Sequence, residues 1–213
     1  MKQDIAARDS PRSSDSEPEV RAVTGAAHPR ALDKVVTVLD DHAARFIAAS
    51  PFVLVASAGP TGIEVSPKGD PAGFVKVLDP RTLAVPDRPG NQRYDTFRNL
   101  LRDPEVGLIF LVPGVAWTLR VTGKAILVRD AALRTRCAVN GRAPEHVLVV
   151  GVERVLAHCP KCMIRSGLWR PEAWPDPQAV PTLAETLIAH AGISESVEAV
   201  AASLEAGNRD RLY

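Results

Sequence analysis

The chain has 213 residues, of which 46% are hydrophobic and 24% charged, and its formal net charge is +1. That composition suits one globular domain of ordinary size, and the near-zero charge excludes a protein drawn to nucleic acid or an anionic membrane by its overall field. Three cysteines (Cys137, Cys159 and Cys162) make no disulfide framework and no apolar run approaches a membrane span, so the expectation is a cytoplasmic protein with reduced thiols.

Residues 1–29 are rich in Ser, Asp, Glu, Arg and Pro and lack the apolar core of a secretory signal. Such a stretch buries too little apolar surface to offset its ordering entropy, which predicts a disordered N-terminal tail. A helix is expected next. Leu32, Val35, Val36, Leu39, Ala43, Phe46 and Ile47 form one apolar stripe at helical spacing, and Pro51 ends it.

The period then changes. Phe52–Ala56 and Ile63–Ser66 flank the turn residues Gly59-Pro60-Thr61-Gly62, and Phe74–Leu78 and Thr82–Val85 flank Asp79-Pro80-Arg81. Val106–Val112, the alternating run around Trp117, Leu119 and Val121, and His146–Leu156 read as further strands. Helices are expected over Tyr94–Arg102, after Asp130, after a Thr182–Glu185 capping box, and from Glu195 to a stop at Gly207. Short strands with turns between them predict a mainly β (α+β) antiparallel barrel with peripheral helices.

The chain contains none of the familiar nucleophile-elbow, Walker, zinc-protease or dinucleotide motifs. Three segments remain as candidates. Ser66-Pro67-Lys68-Gly69-Asp70-Pro71 joins a hydroxyl, a cation and a glycine at a strand end; it reads either as a surface turn or as a ligand wall. Pro86 to Thr96 leads into a helix with Arg88, Arg93 and Arg98 nearby, which reads either as a solvated loop or as a phosphate grip. His158 to Trp169 holds Cys159-x-x-Cys162, but a metal or redox site would need further ligands or a βαβ setting, so no metal is expected. Lys161, Arg165, Ser166 and Trp169 fit better as a wall for an anionic aromatic ligand.

The strings SPFVLVAS, VSPKGDPAGFVKVLD, TLAVPDRPGNQRYDTFRNLLRDPEVGLIFLVPG, TLRVTGKA and HCPK with RSGLW occur in this order over residues 31 to 170. Together they resemble the pyridoxamine 5′-phosphate oxidase-related, FMN-binding split-barrel proteins. The resemblance implies an antiparallel split β-barrel over residues 30–175, a C-terminal helical extension over 176–213, and a homodimer with FMN at the subunit interface. It assigns the flavin-facing strand to Ser66, Pro67, Lys68 and Gly69 and the phosphate side to Asn91, Arg93, Asp95 and Thr96. Lys161, Arg165, Ser166 and Trp169 are the remaining cofactor-binding candidates.

Two departures separate the chain from true pyridoxamine 5′-phosphate oxidases. No Arg-Lys pair stands near Asp95 and Thr96, and residues 208–213, NRDRLY, are not the Arg- and Trp-containing segment that reads the vitamin phosphate. The resemblance thus implies an FMN-dependent oxidoreductase acting on another small molecule. A competing class is a non-catalytic flavin, deazaflavin or haem binding, storage or redox-sensing protein, with His158 as a possible haem ligand.

Overall fold

The computed structural model describes residues 16–60 and 62–213. They fall into two compact units, the first ending at Val35 and the second spanning Val36–Tyr213. In the first, Ser16 caps helix α1 (Glu17–Thr24) by accepting the Glu19 N–H, and His28 caps α2 (Pro29–Asp33). Neither helix has a buried residue. Residues 1–15 of the expected tail lie outside the described residues.

The single helix expected from Leu32 to Ile47 is divided, and the reason is a cap. Asp40 is extended, and its carboxylate accepts the Ala43 N–H at 2.8 Å, so α3 starts only at Asp41 and runs Asp41–Ala49. Leu39 leaves the helical path and donates its N–H to the Pro80 carbonyl at 2.7 Å. Ala43, Phe46 and Ile47 are the buried face of α3, and Phe46 lies against Trp117 with ring centroids 4.1 Å apart. Ser50 and Pro51 then turn the chain into the first long strand. The Ser50 hydroxyl sits 2.7 Å from the carbonyls of both Phe52 and Leu111, which ties that strand to its neighbour.

The long strands are β1 (Phe52–Gly59), β2 (Gly62–Gly69), β3 (Lys76–Asp79), β4 (Thr82–Pro86), β5 (Glu105–Leu111), β6 (Thr118–Val128) and β7 (Val147–His158). They pair antiparallel in the order β2-β1-β5-β6-β7-β4-β3. β2 and β3 end this path and do not pair with each other, so the barrel is split. The core is the inner face of this sheet, with Val53, Val55, Leu83, Val85, Leu108, Phe110, Val121 and Val150 almost fully buried. Each such side chain contributes roughly 1.5–3 kcal/mol by leaving water. A smaller cluster of Ala84, Cys137 and Val147 lies beside helix α5 (Ala131–Arg136), which Asp130 caps as expected.

Helices α4 (Asp95–Leu100) and α6 (Lys161–Ser166) follow β4 and β7 in the chain. The capping box at Thr182 and Glu185 opens α7 (Leu183–Ala191), as its spacing predicted. The last helix, α8, covers Val197–Asp210 and passes through Gly207, where a stop was expected. The Gly207 carbonyl still accepts the Arg211 N–H at 3.0 Å, so the helical ladder continues. Glycine permits a left-handed stop without requiring one. No helix among the described residues is long and apolar enough to cross a membrane.

Candidate functional site

Strand β2 reverses the usual pattern of a barrel strand. Lys68, Ser66 and Glu64 pair with Val53, Val55 and Ser57, whose side chains are buried, so the polar set lies on the inner face. Pro67, Val65 and Ile63 pair with Leu54, Ala56 and Ala58 and lie on the outer face, where Ile63 is 77% and Val65 56% exposed. A polar row facing inward cannot be filled by core packing. It borders a cleft of about 260 Å³ whose opposite wall is the segment from Asp87 to Phe97. The two candidate segments, the strand end at Ser66 and the loop before α4, are therefore the two walls of one cleft.

Two ion pairs bridge these walls. Lys68 Nζ lies 3.7 Å from Asp87 Oδ1. Arg88 Nε donates to Asp70 Oδ2 at 2.6 Å, and another Arg88 nitrogen donates to the Cys137 carbonyl at 2.7 Å. The Arg88–Asp70 pair is buried, with side chains 15% and 1% exposed, so Arg88, which also lines the cleft, is engaged as a tie between the walls. Lys68 and Asp87 are looser and more open, at 27% and 17%. Burial pushes the Asp87 carboxyl above its usual range, and Lys68 only partly offsets this.

The 91–94 turn is built from two left-handed residues, Gln92 at φ 59° and Tyr94 at φ 54°. Such backbone costs about 1–2 kcal/mol per non-glycine residue and persists where the surroundings impose it. Asn91 stabilises the turn, its side-chain oxygen accepting the Arg93 N–H at 3.1 Å. Asp95 accepts from both Arg93, at 2.7 Å, and Arg98, and these bonds lower its carboxyl below the usual range. The same bond to Asp95 holds the Arg93 guanidinium more firmly protonated. Thr96 is buried beneath the cleft. Next to it, Asn99 donates to Ser57 at 3.1 Å and seats α4 on β1. Gly59 makes this possible, since a Cβ there would fall on the Asn99 side chain.

The third segment lies elsewhere in the chain. Lys161, Arg165, Ser166 and Trp169 do not line this cleft. Trp169 donates its indole N–H to the Val115 carbonyl at 2.9 Å and borders a separate cavity with Met163 and Ile164. Ser166 donates to the Met163 carbonyl at 3.2 Å. Cys159 and Cys162 are exposed free thiols, and no group of three or more potential metal ligands exists among the described residues.

Of the other residues lining the cleft, Asp87, Gln92 and Tyr94 fall within the 86–96 candidate segment without being singled out, and Glu64 lies outside the candidate segments. A usable signal for Glu64 was its i, i+2 spacing to Ser66 and Lys68. That places three polar side chains on one face of a strand whose other face is Ile63, Val65 and Pro67. The cleft is lined by three cations, Lys68, Arg88 and Arg93, and by three carboxylates, Glu64, Asp87 and Asp95, so an anionic ligand would be held by Lys68 and the exposed Arg93 in place of their carboxylate partners.

The sequence profile of the pyridoxamine 5′-phosphate oxidase family matches residues 39–159. No curated protein matches the chain. Among solved structures, HupZ of Group A Streptococcus is similar at 17% identity and a TM-score of 0.46, covering 56% of this chain and 98% of its own. An FMN-binding protein of Syntrophomonas wolfei aligns at 12% identity and a TM-score of 0.42, over 54% and 82% of the two chains. The FAD-binding protein of Mycobacterium smegmatis aligns at 16% identity and 0.41, over 58% and 97%.

Proposed function

Because the chain belongs to the pyridoxamine 5′-phosphate oxidase family, we propose that it is a flavoprotein holding FMN in the cleft between β2 and the 87–97 segment. The observation that carries this reading is the inverted strand β2, whose inner face is polar and whose outer face is apolar. The polar face fits a phosphorylated ligand, and the apolar face fits the second subunit of a homodimer. Lys68 and Arg93 are the phosphate cations. Both are already paired with carboxylates, yet the Lys68–Asp87 contact is long and the Arg93 side chain is 67% exposed, so each can change partner at small cost. Helix α4 has only six residues, so its dipole adds little and the side chains must do the gripping.

The backbone of Ser66, Pro67 and Gly69 offers a flat wall to the ring, and Asn91, Asp95 and Thr96 keep the phosphate side in shape. Lys161, Arg165, Ser166 and Trp169 complete the site from the partner subunit, which is consistent with their distance from the cleft in one protomer. When bound, FMN provides the hydride and electron chemistry of an oxidoreductase, while the protein orients the ring and excludes water. The substrate is a small molecule other than pyridoxamine 5′-phosphate, given the missing Arg-Lys pair beside Asp95 and the end segment NRDRLY.

The test is reconstitution with FMN, followed by absorption bands near ~370 and ~450 nm and their bleaching by NADH or NADPH. Lys68→Ala and Arg93→Ala should each weaken FMN by about tenfold and leave riboflavin, which lacks the phosphate, almost unchanged. Absence of flavin bands, or a haem Soret band in their place, defeats the proposal. Equal losses for FMN and riboflavin would remove both residues from the phosphate site.

A further inference from the structure

Beyond α8 the chain continues through Arg211 and Leu212, and Tyr213 reaches the Asp70–Arg88 pair, whose arginine also lines the cleft. Its hydroxyl donates to Asp70 Oδ1 at 2.6 Å, the carboxylate oxygen opposite the one held by Arg88. Its ring lies 5.9 Å from the Arg88 guanidinium, and Arg142 donates to its main-chain oxygen. We propose that Tyr213 is a positioning residue for the cleft: it caps the free oxygen of Asp70 and thereby secures the Asp70–Arg88 tie between the two walls.

The argument rests on which groups are satisfied. The Asp70 side chain is 1% exposed, so both of its oxygens must find donors within the protein. Arg88 serves one, and Tyr213 serves the other. Without the phenol, a buried carboxylate oxygen would stand unpaired, and either water would enter or the pair would loosen. Loosening would be felt directly at the site, because Asp70 follows Lys68 by two residues and Arg88 follows Asp87. The two bridges therefore have different duties. Lys68–Asp87, at 3.7 Å, is the bridge that can open toward a ligand, and Asp70–Arg88 is the one that keeps the walls together while it does. Tyr213 also lines a neighbouring cavity of about 250 Å³ that shares Asp87, Arg88 and Tyr94 with the cleft.

This inference rests on the flavin reading for its consequence, but not for its first measurement. Tyr213→Phe keeps the ring and removes only the hydroxyl. In the ligand-free full chain, amide exchange over residues 87–93 should quicken about tenfold, as loss of one hydrogen bond to a charged group implies. FMN should bind about tenfold more weakly for the same reason, with a less resolved long-wavelength flavin band. In an Asp70→Asn background the same substitution should add little to either change, because the carboxylate it serves is gone. Exchange and affinity at wild-type values in Tyr213→Phe would overturn the proposal. So would a full effect persisting beside Asp70→Asn, or a lower melting temperature with unchanged FMN affinity. A wild-type protein that takes up no flavin would defeat the flavin reading, and the exchange measurement would still decide whether Tyr213 orders the wall.

Discussion

Asp87 shows how one side chain's environment can set the behaviour of a site. It is half-buried, it faces Lys68 across the cleft, and burial outweighs the attraction of the ammonium, so its carboxyl is raised from the ordinary 3.8. The folded protein therefore holds that proton more tightly than the unfolded chain does. The stability linked to it is fully present below 3.8 and is lost as pH rises through the raised value. Asp87→Asn should flatten this part of the profile: thermal denaturation should find the variant equal to wild type below 3.8 and more stable above the Asp87 titration. The same substitution releases Lys68 for phosphate, so FMN affinity should rise about threefold at neutral pH, by the worth of one weak ion pair. A variant less stable than wild type at neutral pH would mean that the Lys68 contact outweighs the burial.

Elements differ in how far local sequence determines them. The strand series, the capping box at Thr182 and the α5 cap were legible, because each depends on side chains a few residues apart. The span from Leu32 to Ile47 was not, because the cap at Asp40 and the bond from Leu39 to Pro80 compete with a periodicity that continues unbroken through them. The ligand-facing strand was only half legible. Ser66 to Gly69 could be picked out by residue type, whereas the inward direction of Glu64, Ser66 and Lys68 depends on a register set by β1. The partners of Arg88 were not legible for a related reason: nothing nearby in sequence announces that Asp70 and Cys137 will satisfy it. Between β6 and β7 the register shifts at Thr122 and Gly123, where the backbones approach so closely that a Cβ on Gly123 would collide with the Gly151 carbonyl. That obstacle is main chain and cannot swing aside. Gly123→Ala should cost about 3 kcal/mol by overpacking, with a melting point lower by roughly 2–4 °C for each of these. Gly151→Ala is the control, since its Cβ would meet the Lys124 carbonyl at an ordinary 3.6 Å. Equal melting points for the two variants would show that the strands can separate at the bulge.

At the scale of the whole molecule, the outer face of β2, β1 and β5 requires an explanation that a single barrel does not provide. Phe52 and Leu54 lie there beside Ile63, Val65, Ile109 and Leu111, with Ile63 77% exposed and Phe52 and Ile109 more than a third exposed. β2 is also an edge strand; its charges, Glu64 and Lys68, lie on the inner face, so on the outer face only Pro67 blunts an apolar edge that invites association. A face of this kind is suited to a second copy of the chain, and the homodimer proposed above would cover it while bringing Lys161, Arg165 and Trp169 of one subunit toward the cleft of the other. Ile109 tests this cleanly, because it sits on β5, away from the cleft residues, and pairs with Leu54 across the outer face. Ile109→Lys places a charge in the middle of the apolar patch, where desolvating it without a partner opposes association strongly. Sedimentation equilibrium should show the wild type at twice the chain mass and Ile109→Lys at the chain mass. FMN stoichiometry should fall together with the dimer, since each cleft would lose the wall contributed by its partner. A monomeric variant that still holds one FMN per chain would place the whole flavin site within a single barrel, and Lys161, Arg165, Ser166 and Trp169 would then have no part in it.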